Sequence, residues 1–427
     1  MMRLPGRDRS SVPWPGDRPL FCSVGVLGAS LAYKHRARLR IWVHSGILNA
    51  ATLLCHLRPC RKAFLDDATT PTPRYQAVYK LLRRLRCDAT TLEDLRANAA
   101  SAEARDAFDS DHSVAKITRT WVPIEYAAEM WDGDALWICA PGVSTAKVAP
   151  TIIFLHGGLV SGRAEAELET AHQLSRAAHV RVLAVNYRLA PETPLPGATC
   201  DVLAAVRWLR EELGVKRIAL VGGCGGATLV LLALQRMAEE KAEAVQAGVA
   251  VSPYVDMDPT MARLPSVVDH AQRDASVSAD AHRTVMTLAA PDPGSPDCNP
   301  CRGNWRGLAP LYLAAGGLEV LRDHAVIAFY AAKAAGVEVH LDLQPQLGHC
   351  FPWLARHGVA EGAEGLGALA FFLRGKLFGT HDFKLHQLPP TVADYVSRHA
   401  GAAADQGWMK KEGKRQAPPG PQDDYSI

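Results

Sequence analysis

The sequence predicts an α/β domain with a mostly parallel central sheet flanked by helices. Three observations predict it. From Ile117 onward, short apolar runs alternate with longer amphipathic stretches, the rhythm of βαβ units joined by right-handed crossovers. Several of those runs, such as "TIIFL", "RIALVGG" and "AGVAV", are almost continuously apolar, as strands buried on both faces must be. Alanine is abundant while aromatic residues make up only 7%, which favours helices laid on a sheet over an all-β sandwich.

The 427 residues allow one large α/β domain with extensions. Residues 1–74 read as a basic, partly apolar N-terminal extension. Only Asp8 and Asp17 are acidic among the first sixty residues, and the block "KHRARLR" separates the apolar runs "LFCSVGVLGASLAY" and "IWVHSGILNAATLLCHL". Both runs are shorter than the roughly 20 residues of a spanning helix. An organelle-targeting segment, a membrane-surface anchor and a helix packed on the domain all fit this stretch. "TTPTPRY" breaks the chain, and helical patterns near Gln76–Cys87 and Thr91–Phe108 make residues 75–115 a helical cap segment.

The core is expected over 116–375. Its strands are "ITRTWVPIEY", "ALWICAP", "APTIIFLHGG", "VRVLAVNYRLAP", "RIALVGG", "AGVAVSPYV", "PLYLAAGG" and "VEVHLDLQP". Helical patterns at Glu165–Ala178, Cys200–Leu213 and Ala227–Ala242 connect some of them. Residues 256–308 are too long for a plain connection between buried strands and predict an inserted helical cap over the sheet's carboxyl edge. Residues 376–427 form a C-terminal extension whose polar, Pro-rich end, "KKEGKRQAPPGPQDDYSI", reads as disordered.

Composition excludes several functions. A net charge of +3 gives no electrostatic basis for nucleic-acid binding. The ten cysteines lack the spacing of a disulfide framework, which fits a reducing, cytoplasmic compartment, with membrane association or organelle targeting through the N-terminal segment as the alternative. Cys298 and Cys301 form a single CxxC, and Cys55, His56 and Cys60 lie far away in sequence, so no metal site is expected. No organic cofactor is expected either.

Ligands of open α/β sheets bind outside the carboxyl ends of the strands. Four motifs fall at such ends: "HGGL" at His156–Leu159, "NYRLAPE" from Asn186, "GGCGG" at Gly222–Gly226, and the pair "GGLEVLRD" and "QLGHCF". "GGCGG" fails as a dinucleotide loop, because Thr228 stands where G-x-G-x-x-G needs glycine. It is instead the profile of a strand-to-helix turn holding Cys224 at its tip. A thiol at a helix N-terminus beside a histidine can ionise and is intrinsically more nucleophilic than a hydroxyl. The competing reading makes Cys224 a small turn residue in a decayed site.

From Ile117 to Leu373 the sequence resembles the hormone-sensitive-lipase-like group of α/β-hydrolases, the alpha/beta hydrolase fold-3 family. "HGG", "NYRLAPE", the glycine elbow, "SPYVDM", "LEVLRD" and "GHCF" occur in that family's order. The resemblance implies an α/β-hydrolase fold with Cys224 in the nucleophile slot, where the family has serine. Glu319 takes the acid slot, where the family usually has aspartate, and His349 is the base. Asp323 matches a second acidic position of the family and is the fallback acid. The oxyanion donors would be backbone N–H groups of Gly157, Gly158, Leu159 and Gly225, although the family's glycine triplet is a doublet here. Gly223 stands where the family commonly has an acidic residue. His156 would order the glycine loop, while Tyr187, Arg188 and Glu192 would be structural. The implied activity is hydrolysis of small apolar carboxylic esters or thioesters through an acyl-enzyme on a Cys–His–Glu triad. The alternative is an inactive member that binds a small apolar ligand, as the plant gibberellin receptors that resemble this family do.

Overall fold

The computed structural model describes residues 71–85, 91–97, 116–123, 131–242, 245–260 and 264–379. The expectations for the N-terminal extension up to residue 70, for most of the helix near Thr91–Phe108 and for the C-terminal extension from residue 380 lie outside the described residues.

Eight strands form one sheet in the order β1-β2-β4-β3-β5-β6-β7-β8. They are β1 (Lys116–Trp121), β2 (Asp134–Cys139), β3 (Thr151–Leu155), β4 (Arg181–Val185), β5 (Ile218–Gly223), β6 (Ala247–Val251), β7 (Leu311–Gly316) and β8 (Val339–Gln344). β1, β2 and β4 pair antiparallel, and every pairing from β4 across to β8 is parallel. The central strands β3, β4, β5, β6 and β7 are buried at every position. That double-sided burial is why their sequences are unbroken apolar runs. The outer strands alternate instead: β1 is largely exposed and β8 half-buried.

The helices are α1 (Pro73–Leu85), α2 (Leu168–Ala178), α3 (Gly197–Glu211), α4 (Gly225–Glu239), α5 (Pro265–His270), α6 (Ala279–Ala289), α7 (Arg322–Ala334) and α8 (Ala360–Phe378). They divide the core in two. β3 sends Ile153 and Leu155 into a cluster with Val202 of α3, Leu229 of α4 and Ala328 of α7. Its intervening residues, Ile152 and Phe154, enter a second cluster with Leu174 of α2, Leu369 of α8 and Tyr75 of α1. The period-two alternation of a strand thus feeds both layers at once. Among the described residues, no helix is long and apolar enough to cross a membrane.

Two features of this architecture position a site. The chain leaves β3 for β4 on one side and later returns to β5 on the other, so a topological switch lies between β3 and β5. A crevice opens outside the carboxyl ends at such a point. The segment between β6 and β7 carries α5 and α6, and it is tied to the loop after β7. Ser266 Oγ donates to the Val320 carbonyl at 2.8 Å, and the Val320 N–H donates to Asp274 at 2.9 Å.

Candidate active site

The elbow follows from how closely β5 and α4 must turn. A Cβ on Gly226 would lie 2.1 Å from the Leu155 carbonyl, and one on Gly225 would lie 2.8 Å from the Leu159 nitrogen. Only glycine lets the helix start this near the end of β3. Cys224, between β5 and α4, takes φ 53° and ψ −119°, a strained backbone that lifts its side chain out of the turn. Its N–H donates to the Val251 carbonyl at 2.8 Å, which fastens the elbow to β6.

His349 and Glu319 come from the loops after β8 and β7. His349 Nδ1 and Glu319 Oε2 are 2.6 Å apart. The other carboxylate oxygen accepts from Ser252 Oγ at 2.9 Å and from the Gly316 N–H at 2.8 Å, and Glu319 has no exposed surface. A carboxylate only accepts, so Nδ1 carries the proton and Nε2 is left for the sulfurs. Cys350 Sγ lies 3.5 Å from His349 Nε2, and the sulfurs of Cys350 and Cys224 both act electrostatically on the imidazole. Burial alone would lower the His349 pKa, but the pull of the Cys350 and Cys224 sulfurs outweighs it and raises the imidazole well above 6.5. Burial pushes the Cys350 thiol up to about 11, against the opposing pull of His349.

Asp323, the fallback acid, is placed elsewhere. Its carboxylate accepts from the Ser266 N–H and from Arg322 Nε, each at 2.8 Å, and so joins α5 to α7. No bond to His349 is formed.

The glycine loop after β3 is held from behind. Tyr187 Oη reaches the carbonyls of His156 and Gly158 at 2.7 and 2.8 Å, and its ring stacks on His156 at 4.2 Å. Burial lowers His156 to about 4, so it is a neutral ring whose Nδ1–H donates to the Gly157 carbonyl at 2.9 Å. The Gly157 N–H donates to Glu167 Oε1 at 2.8 Å. The N–H groups of Gly158 and Leu159 make no such bond to the protein among the described residues. Gly225, first in α4, also lacks an intrahelical acceptor for its N–H. Two further side chains of this region support the scaffold. Arg188 pairs with the fully buried Asp201 at 2.7 Å, and Glu192 pairs with Arg96 at 2.5 Å.

Four contributors were not singled out from sequence. Tyr254 is clipped to the first turn of α4, its N–H donating to Thr228 Oγ1 and its carbonyl accepting from the same hydroxyl, both at 3.0 Å. Burial and the nearby Cys224 sulfur raise its pKa well above 10. It therefore stays a phenol donor. Ser252 bridges Glu319 and the Cys350 N–H, the latter at 3.0 Å. Tyr75 of α1 accepts the Gly348 N–H at 2.6 Å, so the N-terminal helix braces the histidine loop. Trp353 explains Gly223: a Cβ there would lie 2.3 Å from the indole Nε1. The indole takes the space that an acidic residue before the nucleophile would need. Among the described residues no group of His, Cys, Asp and Glu could hold a metal ion. Cys298 is buried with its thiol on the Leu195 carbonyl.

Comparison with known proteins gives the family of this fold. A family model described as alpha/beta hydrolase fold matches residues 152–353. An acetyl-hydrolase of Streptomyces hygroscopicus is 34% identical over 232 residues, which span 52% of this chain and 75% of that protein. The esterase LipI of Mycobacterium tuberculosis is 30% identical over 241 residues, 53% of this chain and 74% of its own. The crystal structure of an esterase from the bacterial hormone-sensitive lipase family superposes with a TM-score of 0.63 at 30% identity, covering 72% of this chain and 99% of that one.

Proposed function

The chain belongs to the hormone-sensitive-lipase-like α/β-hydrolases and is a carboxylic-ester hydrolase; from that premise we propose that it works through an acyl-enzyme on Cys224. Its substrates are small apolar acyl esters and thioesters. The observation that carries this reading is the 2.6 Å contact between His349 and the buried Glu319, beside an elbow whose Cys224 sulfur acts electrostatically on the imidazole.

The Cys224 thiolate adds to the acyl carbon while His349 is an imidazolium held by Glu319. The oxyanion that forms accepts from the N–H groups of Gly158, Leu159 and Gly225. The Gly157 N–H, engaged by Glu167, serves the loop rather than the substrate, so the donor set is narrower than the sequence suggests. His349 then passes its proton to the leaving group, and the alcohol or thiol departs. In the second half the neutral imidazole takes a proton from water, the hydroxide adds to the acyl carbon, and the acid leaves as Cys224 is released. Tyr254 donates to the sulfur in its ionised state. The tetrahedral adduct expels its better leaving group, so thioesters and activated esters go forward more readily than plain alkyl esters, for which proton transfer from His349 is decisive.

The test compares wild type with Cys224→Ala and Cys224→Ser on short-chain p-nitrophenyl esters and acyl thioesters. Loss of turnover in the alanine variant supports the thiol nucleophile. Equal rates in wild type and alanine variant overturn it. Activity present only in the serine variant overturns it too and leaves a ligand-binding protein on a hydrolase fold.

A further inference from the structure

Cys350 has no part in that chemistry, yet it stands at the same imidazole as the nucleophile. Its Sγ lies 3.5 Å from His349 Nε2 and 3.9 Å from the Val251 carbonyl, the same carbonyl that accepts the Cys224 N–H at 2.8 Å. A Cβ built on Gly223, the residue before the nucleophile, would be 3.4 Å from that sulfur. Consecutive Cα atoms are about 3.8 Å apart, so the two cysteines are near neighbours across the elbow, close enough for the Cys224 sulfur to act electrostatically on Cys350. Both sit at positive φ, 53° and 50°, in the turns after β5 and β8. The other described cysteines, Cys139, Cys200, Cys298 and Cys301, have no contact of this kind with His349 or with each other.

We propose that Cys224 and Cys350 are a redox dithiol: hydroperoxides oxidise Cys224, and Cys350 resolves the product into a disulfide that reversibly closes the nucleophile. The Cys224 thiolate attacks the distal peroxide oxygen, an S–O bond forms and the O–O bond breaks. The departing alkoxide takes the His349 proton and leaves as an alcohol, or as water from hydrogen peroxide. Cys350 then gives its proton to His349 and attacks the sulfenic sulfur. The S–S bond forms, the S–O bond breaks, and hydroxide leaves with that proton as water. Two thiols are oxidised by two electrons while one peroxide is reduced. A thiol that stays protonated on its own suits the resolving role, since it is consumed only after the first sulfur has reacted. The proposal rests on Cys224 being the reactive thiolate, but its readout is mass, so it stands or falls apart from turnover.

The test treats the reduced full-length protein with limiting hydrogen peroxide, alkylates the remaining thiols and maps peptides without reduction. The expected product has lost two hydrogens, yields one linked peptide pair carrying Cys224 and Cys350, and returns to the starting mass with dithiothreitol. In Cys350→Ser, Cys224 should stop at the sulfenic acid and be captured by dimedone. A wild-type protein whose Cys224 gains oxygens without any linked pair overturns the proposal. So does a link through other cysteines, or no oxidation of Cys224. Should the serine variant not fold, the wild-type map alone decides.

Discussion

Glu319→Gln is the sharpest perturbation of the proposed chemistry. In the native site one Glu319 oxygen accepts from Ser252 and Gly316, and the other faces His349 Nδ1. Glutamine keeps its carbonyl oxygen on the two donors, so its NH2 must face Nδ1. That nitrogen can then only accept, and the imidazole proton moves to Nε2, on the sulfur side. The wrong tautomer is fixed, and a buried imidazolium loses its anionic partner. In comparable triads this exchange lowers kcat by about 10⁴-fold. A fall of roughly 10³- to 10⁴-fold, or about 4–5.5 kcal/mol of transition-state stabilisation, is expected here. Saturation kinetics on an acyl thioester give the measurement, with KM within a few-fold of wild type and thermal unfolding as the check on folding. A loss smaller than about tenfold in a folded variant would refute the reasoning.

Other outcomes follow from the same geometry. Because the folded His349 pKa lies above 6.5, its pairing stabilises the protein fully below that pH and is lost as pH rises through the raised value. Both kcat/KM and melting temperature should therefore decline on the alkaline side; an ascending limb near 6.5, as for a neutral-imidazole base, would contradict the ion pair. Tyr254→Phe removes one donor to an ionised sulfur, worth about 1.5–3 kcal/mol, so iodoacetamide should alkylate Cys224 roughly 10- to 100-fold more slowly at neutral pH. An unchanged rate would remove Tyr254 from the site. Tyr75→Phe orphans the buried Gly348 N–H, and denaturant titration should show a loss of roughly 1–3 kcal/mol together with reduced kcat. No change in either would mean that α1 does not brace the histidine loop.

The fold was legible because its central strands leave a mark that does not depend on partners. Strands such as β3 and β5 are buried at every residue and read as unbroken apolar runs. The strand order could not be read that way, because pairing is set by crossovers rather than by any one segment. The site divides similarly. Cys224, Glu319 and His349 each lie in a contiguous motif at a strand end, so the family resemblance could single them out. Tyr75 acts on Gly348 across 273 residues, and Ser252 on Cys350 across 98; no local pattern encodes such contacts. Gly223, which stands where the family commonly has an acidic residue, is the seat of Trp353. The HGG loop offered three candidate donors, and only the fold reveals that Gly157 is engaged by Glu167, ten residues on.

The central claim is that an acyl group passes through the sulfur of Cys224. Mixing the protein with a slowly turned-over acyl ester, quenching in acid during steady state and mapping the peptides tests this most directly. The account predicts one acyl mass on the peptide carrying Cys224, absent from Cys224→Ala and discharged by hydroxylamine. Continued turnover with that peptide unmodified, or an acyl group on any other residue, would contradict it.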